Sequence, residues 1–206
     1  WTDFNLKQYT LTERNALTGI GEGTTIYNTT SKGIEFYNGS AWVPTTHYVG
    51  ESYGGGIIFY LYDNGQHGLI AATNDITTDI RWYAGTNQNT MALADGIGAG
   101  QKNTSIIIAS QGFGDGSTYA ARMCNEYTVI SGGVTYGDWY LPSKYELNLL
   151  RNAKNTVGNF GGFFYWSSTE INASTAWGQY FDLTTLQSPG DKYSFNTNHL
   201  RAIRSF

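Results

Sequence analysis

Short alternations of apolar and polar residues, broken by glycine- and asparagine-rich turns, run along most of this 206-residue chain. Thr24-Thr-Ile-Tyr27 and Ile34-Glu-Phe-Tyr37 alternate as half-buried strands do, with residues 28–33 turning between them. Asn38-Gly39 predicts a hairpin into Ala41-Trp-Val43. Ahead of these strands, residues 12–17 predict one helical turn with Thr12 as its cap. Pro44 and the pair Thr45-Thr46 form a junction. Beyond it, glycines 54–56 lead into an apolar strand, Asp63-Asn-Gly-Gln66 predicts a turn, and His67 to Ala72 the return strand.

The period then changes. One helix is expected over residues 117–127. A second begins at Ser143, where Ser-Lys-Tyr-Glu146 has the form of a capping box behind Pro142. Leu147, Leu150 and Ala153 follow at helical spacing, with Tyr145 and Leu149 widening the stripe. Strand patterns return at Phe164–Ser168, Ala176–Phe181 and His199–Arg204. In the last of these, Leu200 and Ala202 fall on one phase and Arg201 and Ile203 on the other, so alternation does not identify the buried face. The pattern predicts an α+β fold with two helices, a twisted antiparallel sheet and long loops. It divides into a β-hairpin segment, 1–45, and a main domain, 46–206. A lone hairpin is marginal in water, so this one must lean on the main domain or on copies of itself in neighbouring chains.

Composition narrows the classes. Charged residues are 14% and aromatics 16%, with 26 glycines and three prolines, which suits short strands and tight turns. Residues 1–143 hold six Lys/Arg against twelve Asp/Glu, and residues 144–206 six against four. A chain of net charge −4 without a basic stripe argues against nucleic-acid binding. No apolar run reaches the roughly 18 residues of a membrane span. A chain opening on Trp1 reads as a processed product or a fragment. Cys124 is the single cysteine, which excludes an intrachain disulfide and a cysteine-based zinc site.

Catalytic patterns are missing. His47, His67 and His199 are far apart in sequence, and Gly114-Asp-Gly-Ser117 lacks the strand–turn–helix frame of a nucleophile elbow. The glycine stretches at 54–56 and 96–100 lack the Lys-Ser/Thr of a phosphate loop. The expectation is a non-enzyme without a required cofactor. Glu170, Asn172, Asp182 and Asp191 would permit a calcium site if folded together, but their spacing does not require one.

What stands out instead are stretches mixing flat rings with amides and hydroxyls: Arg81-Trp-Tyr83, Asn159–Phe164, Thr169–Trp177 and Lys192–Asn198. Such mixtures suit the apolar face and hydroxyl rim of a sugar, and equally a protein receptor. The candidate ligand-binding residues are Trp82, Tyr83, Asn172, Trp177, Lys192, Tyr193 and Asn196.

Three blocks carry a resemblance: Asp138-Trp-Tyr-Leu-Pro-Ser-Lys-Tyr-Glu-Leu147, Tyr165-Trp-Ser-Ser-Thr-Glu170 and Leu200-Arg-Ala-Ile-Arg-Ser-Phe206. With the Gly54–Ala72 and Gly100–Ile108 blocks, they resemble the C-terminal, C-type-lectin-like domain of bacterial collagen-like adhesins of the Lcl type, which also occurs on phage tail proteins. Leu11–Leu17, Gly23–Thr30 and Tyr37–Trp42 are similar to a segment of phage tail fibres that precedes a binding domain. The resemblance implies that Trp139 and Trp166 are core residues and that Arg201 and Arg204 anchor carboxylates. It also implies an extracellular, cell-surface or virion-surface homotrimer whose partner is a cell-surface glycan or a protein receptor. The chain would be an adhesin or tail-fibre tip. The alternative is a structural or decoration protein of a virion, filament or surface layer, whose loops contact other subunits.

Overall fold

Alternation in residues 24–44 becomes a sheet rather than a bare hairpin. The computed structural model describes residues 6–182, 186–193 and 198–206. Strands β1 (Gln8–Tyr9), β2 (Thr25–Asn28), β3 (Gly33–Tyr37) and β4 (Trp42–Pro44) lie in the order β1-β2-β3-β4, with β1 parallel to β2 and the rest antiparallel. The turn into β4 is closed by Asn38, whose Oδ1 accepts from the backbone N–H groups of Ser40 and Ala41 at 3.1 and 2.8 Å. Between β1 and β2 sits α1 (Leu11–Asn15). Its cap is Thr10, correcting the expected Thr12: Glu13 stands three residues after Thr10, and the two close a capping box that places Thr12 inside the helix.

The main chain then runs through β5 (Ser52–Tyr53), β6 (Gly56–Tyr62), β7 (His67–Ala71), α2 (Ala99–Gln111), α3 (Ala120–Glu126), β8 (Val129–Ser131) and β9 (Val134–Tyr136). It continues with α4 (Lys144–Asn152), α5 (Lys154–Val157), β10 (Phe164–Glu170), β11 (Thr175–Tyr180), β12 (Gln187–Asp191), β13 (Asn198–His199) and β14 (Ile203–Ser205). Two four-stranded sheets result, β14-β7-β6-β5 and β12-β11-β10-β13, beside the small hairpin β8-β9. The turn between β6 and β7 is a single 3-10 turn at Asp63–Gly65, where the hairpin was expected.

Helix α2 is an addition to the two expected helices. Its buried positions are Gly100, Asn103, Thr104, Ile107 and Gln111, so its inward face is largely polar and leaves no apolar stripe in the sequence. Tertiary bonds hold it instead. The Thr104 hydroxyl donates to Gly100 O and accepts from Leu141 N–H (2.8 and 3.0 Å), and Asn103 Nδ2 donates to Ala94 O at 2.7 Å.

Helix α4 starts as the sequence indicates, with Ser143 and Glu146 forming the capping box. The same carboxylate reaches further. Glu146, fully buried, accepts from Gly98 and Gly100 N–H at 2.7 and 3.1 Å, so one side chain serves the first turns of both α2 and α4. Burial raises its pKa above the ordinary carboxylate value, opposed by these hydrogen bonds.

Two apolar clusters sandwich the strands. Ile58, Ile70, Trp82, Ile107, Tyr119, Trp139, Trp166, Leu200 and Ala202 share one, while Phe59, Leu69, Tyr140, Leu147, Leu150, Tyr165, Phe181 and Ile203 share the other. Strand residues therefore bury both faces, and the Leu200–Ile203 ambiguity resolves: all four residues are buried. Trp139 and Trp166 are in the core, and Arg201 and Arg204 do bind carboxylates. Arg201 Nε reaches Asp75 at 2.7 Å, and Arg204 grips Asp138 through Nε and Nη2 at 2.6 and 2.9 Å.

Candidate functional site

The end of β10 sets the geometry of the loops. Its pairing with β11 shifts register between Trp166 and Glu170. Beyond Trp166, Ser168 N–H donates to Pro142 O at 2.7 Å, and Glu170, paired again with Ala176, donates its N–H to Ala92 O at 2.8 Å. Glu170 is thereby turned into the loop that follows Tyr83. Its carboxylate accepts from Thr90 N–H (2.8 Å), Thr90 Oγ1 (3.0 Å) and Met91 N–H (2.8 Å), and meets Lys192 Nζ at 2.5 Å.

Both partners of that ion pair are out of water, with side chains 0% (Lys192) and 1% (Glu170) exposed. The ammonium also donates to Gln88 O at 3.3 Å and lies 4.3 Å from the centroid of the Trp82 ring. Burial lowers the Lys192 pKa and Glu170 counters it. Backbone bonds complete the tie: Trp82 N–H donates to Lys192 O at 3.0 Å, and Lys192 N–H to Ser174 O at 2.9 Å. Loops 82–93, 171–174 and 191–193 thus converge on one charge pair.

A second anchor lies alongside. The buried Arg81 guanidinium forks onto both oxygens of Asp115, whose pKa falls to about 2 because of that pairing and the Ser117 N–H it accepts. Asp115 N–H donates to Ala84 O at 2.9 Å. Gly114, at φ +53°, passes so close to the Ala84 carbonyl that no side chain fits there.

The structure distributes the seven sequence candidates unevenly. Trp82 is buried with its indole N–H on Ser167 O at 2.8 Å, and Lys192 is buried beneath it, so both support the loops from inside. Tyr83 is 5% exposed; its ring lies 5.9 Å from that of Tyr193, and burial raises its pKa. Tyr193 is 58% exposed at the rim. Asn172 is exposed and closes its own turn, its Oδ1 accepting from Ser174 and Thr175 N–H, both at 2.9 Å. Trp177 stands apart on the α4 side, half-buried under Lys144 Nζ at 3.8 Å. Asn196 lies outside the described residues.

Sequence reasoning passed over Met91. It is 64% exposed with φ +66°, a conformation rare for a residue with a Cβ, and its N–H is held by Glu170. A single methionine in a polar stretch carries no periodic signal. The exposed face of the cluster is therefore Tyr193, Met91 and the Asn172 turn over a buried charged base.

Other chemistry is placed elsewhere. Asp75 joins Arg201, His199 Nδ1 (2.8 Å) and the Tyr165 hydroxyl (2.7 Å), a network that ties the C-terminal strands to the 158–162 loop. Nearby, an open groove of about 490 Å³ is lined by Lys154, Phe160, Phe181 and Asp182. Its Lys154 ammonium already donates to Phe181 O at 2.6 Å. Cys124 is buried, and burial pushes its thiol pKa well up. Among the described residues no three His, Cys, Asp or Glu side chains gather as metal ligands do. No helix is long and apolar enough to cross a membrane, again among the described residues.

Among curated proteins none matches the chain. Residues 4–87 match the family described as a phage tail like trimerisation region, a span that takes in the N-terminal sheet, β5 to β7 and Tyr83, and crosses the junction expected at residues 45–46. That match supports a phage tail-type protein, a virion-associated structural or fibre component that assembles as a homotrimer.

Proposed function

We propose that this chain is the binding end of a tail fibre or related virion appendage, a C-type-lectin-like domain that recognises a cell-surface glycan or receptor. The N-terminal segment, 1–45, attaches and trimerises it, and the domain from 46 onward carries the contact surface. The observation that carries this reading is the Glu170–Lys192 pair. A buried ion pair is a poor device for stability alone, but it fixes the geometry of the loops it joins. Here those loops present an exposed tyrosine, an exposed methionine and an amide turn on a rigid base, the mixture that sugars and receptor surfaces accept. Three copies on one stalk would convert weak sites into strong attachment.

The test is binding of the intact purified chain to a glycan array, with and without a calcium chelator, beside a Tyr193→Ala/Met91→Ala variant. Saturable binding to one glycan class that the variant loses, at unchanged mass and circular dichroism, supports the reading; chelator sensitivity would add calcium. Equal binding by the variant removes this loop cluster as the site. Failure of a folded trimer to bind any glycan favours a protein receptor or the structural alternative. For the latter, the exposed Phe113 (78%) offers a subunit contact.

A further inference from the structure

The register of the N-terminal sheet sorts its side chains onto two unlike faces. Cross-strand partners share a face, so Ile26 with Glu35 and Pro44, Asn28 with Tyr9, and Tyr37 with Trp42 point one way. Around Ile26, Asn28 and Glu35 that face is covered, while Tyr37, Trp42 and Pro44 at its edge are half-buried. Helix α1 lies on it, Arg14 pairs with Glu35 at 2.7 Å, Asn28 Nδ2 donates to Glu35 at 2.9 Å, and Ile26 is buried.

Thr25 with Phe36 and Val43, and Tyr27 with Ile34 and Gln8, point the other way. This second face is apolar and carries no charge. Ile34 is 38% exposed, and Tyr27, Phe36 and Val43 are only half-buried. None of these four belongs to either apolar cluster of the main domain. Among the described residues the strands of this sheet pack mainly on one another and on α1. Four strands of two to five residues that fully bury one isoleucine do not make a self-sufficient core.

We propose that the face formed by Tyr27, Ile34, Phe36 and Val43 is the surface through which three copies of this chain meet. The occupant is a second copy because the face lies wholly within the matched trimerisation region, residues 4–87. An uncharged face also suits repetition about an axis, since identical charges brought together would repel, and interface centres are depleted of charge. The assignment rests on the trimeric reading and adds to it where the contact is made. α1 and the Arg14–Glu35 pair then form the outer surface of the stalk.

The experiment compares the mass in solution of the intact chain, of Ile34→Glu/Phe36→Glu, and of Ile130→Glu, which alters an exposed apolar residue of the β8–β9 hairpin. A trimer for the intact chain and for Ile130→Glu, with a folded monomer for Ile34→Glu/Phe36→Glu, is the expected result. A trimer for all three overturns the assigned face and leaves the trimer standing; a monomeric intact chain overturns both. Should the double variant fail to fold, maleimide labelling decides, because Cys124 is buried and the chain has no other cysteine. Ile34→Cys should react far more slowly than Ile130→Cys in the assembled protein and as fast once diluted to monomer. Equal rates in the assembled protein would sink the proposal.

Discussion

Glu170 and Lys192 meet at 2.5 Å with both side chains almost wholly withdrawn from water. One comes from the end of a central strand and the other from the turn after an edge strand. Between them they also bind Thr90, Met91 and the Gln88 carbonyl, so three separate loops share one electrostatic centre.

Removing one charge should therefore cost far more than removing a surface pair. Lys192→Met would leave a buried carboxylate without its counter-ion, a loss on the order of 3–5 kcal/mol. Chemical denaturation measures it. Adding Glu170→Gln should recover part of the loss, because the amide oxygen can still accept from Thr90 and Met91 while the unpaired charge is gone. A double variant weaker than Lys192→Met alone would contradict this account.

The shared carboxylate of Glu146 gives two graded predictions. Ser143→Ala deletes the cap of α4 and should cost about 1 kcal/mol. Gly100→Ala should cost more, since a Cβ there would crowd the Glu146 carboxylate and stand 2.7 Å from both Leu141 O and Ser143 N. Urea midpoints of the two variants give the order directly.

Acid should loosen the Arg81–Asp115 anchor in a defined window. The pair holds Asp115 at about 2 in the folded chain against 3.8 for a free side chain. A lowered pKa means that the pair's stabilisation is complete above pH 3.8 and disappears as pH falls through about 2. Asp115→Asn should flatten the stability profile in that interval, which thermal melts across acid pH would reveal.

Alkali acts through buried phenols. Tyr140 and Tyr165 have pKa values raised chiefly by burial, and each donates a hydrogen bond to a carboxylate, Glu146 and Asp75 respectively. A raised pKa gives stability that is full below about pH 10, where free tyrosine ionises, and is lost as pH rises beyond it. Spectroscopic titration should show these two phenols ionising together with unfolding rather than before it. Tyr140→Phe should move the alkaline transition upward or reduce its steepness.

The sequence by itself determined the strands β2, β3, β4, β6, β7, β10 and β11, the turns at residues 38–39 and 63–66, and the capping box at Ser143 and Glu146, because those features follow from local chemistry and short-range periodicity. That Trp139 and Trp166 are core residues and that Arg201 and Arg204 meet carboxylates came from the resemblance, which did not say which carboxylates. What it could not determine depends on residues far apart in the chain. Helix α2 hides its inward face in Asn103, Thr104 and Gln111, whose partners come from other segments, so no apolar stripe announces it. Leu200 to Ile203 gives no readable alternation because an apolar cluster covers each face of the strands, with Leu200 and Ala202 in one and Ile203 in the other. Lys192 and Trp82 look like ligand contacts in a polar stretch, yet Glu170 and the Ser167 carbonyl draw both inward. Only the tertiary structure decides which polar groups face solvent, because a buried charge is tolerable only where the fold supplies its counter-ion.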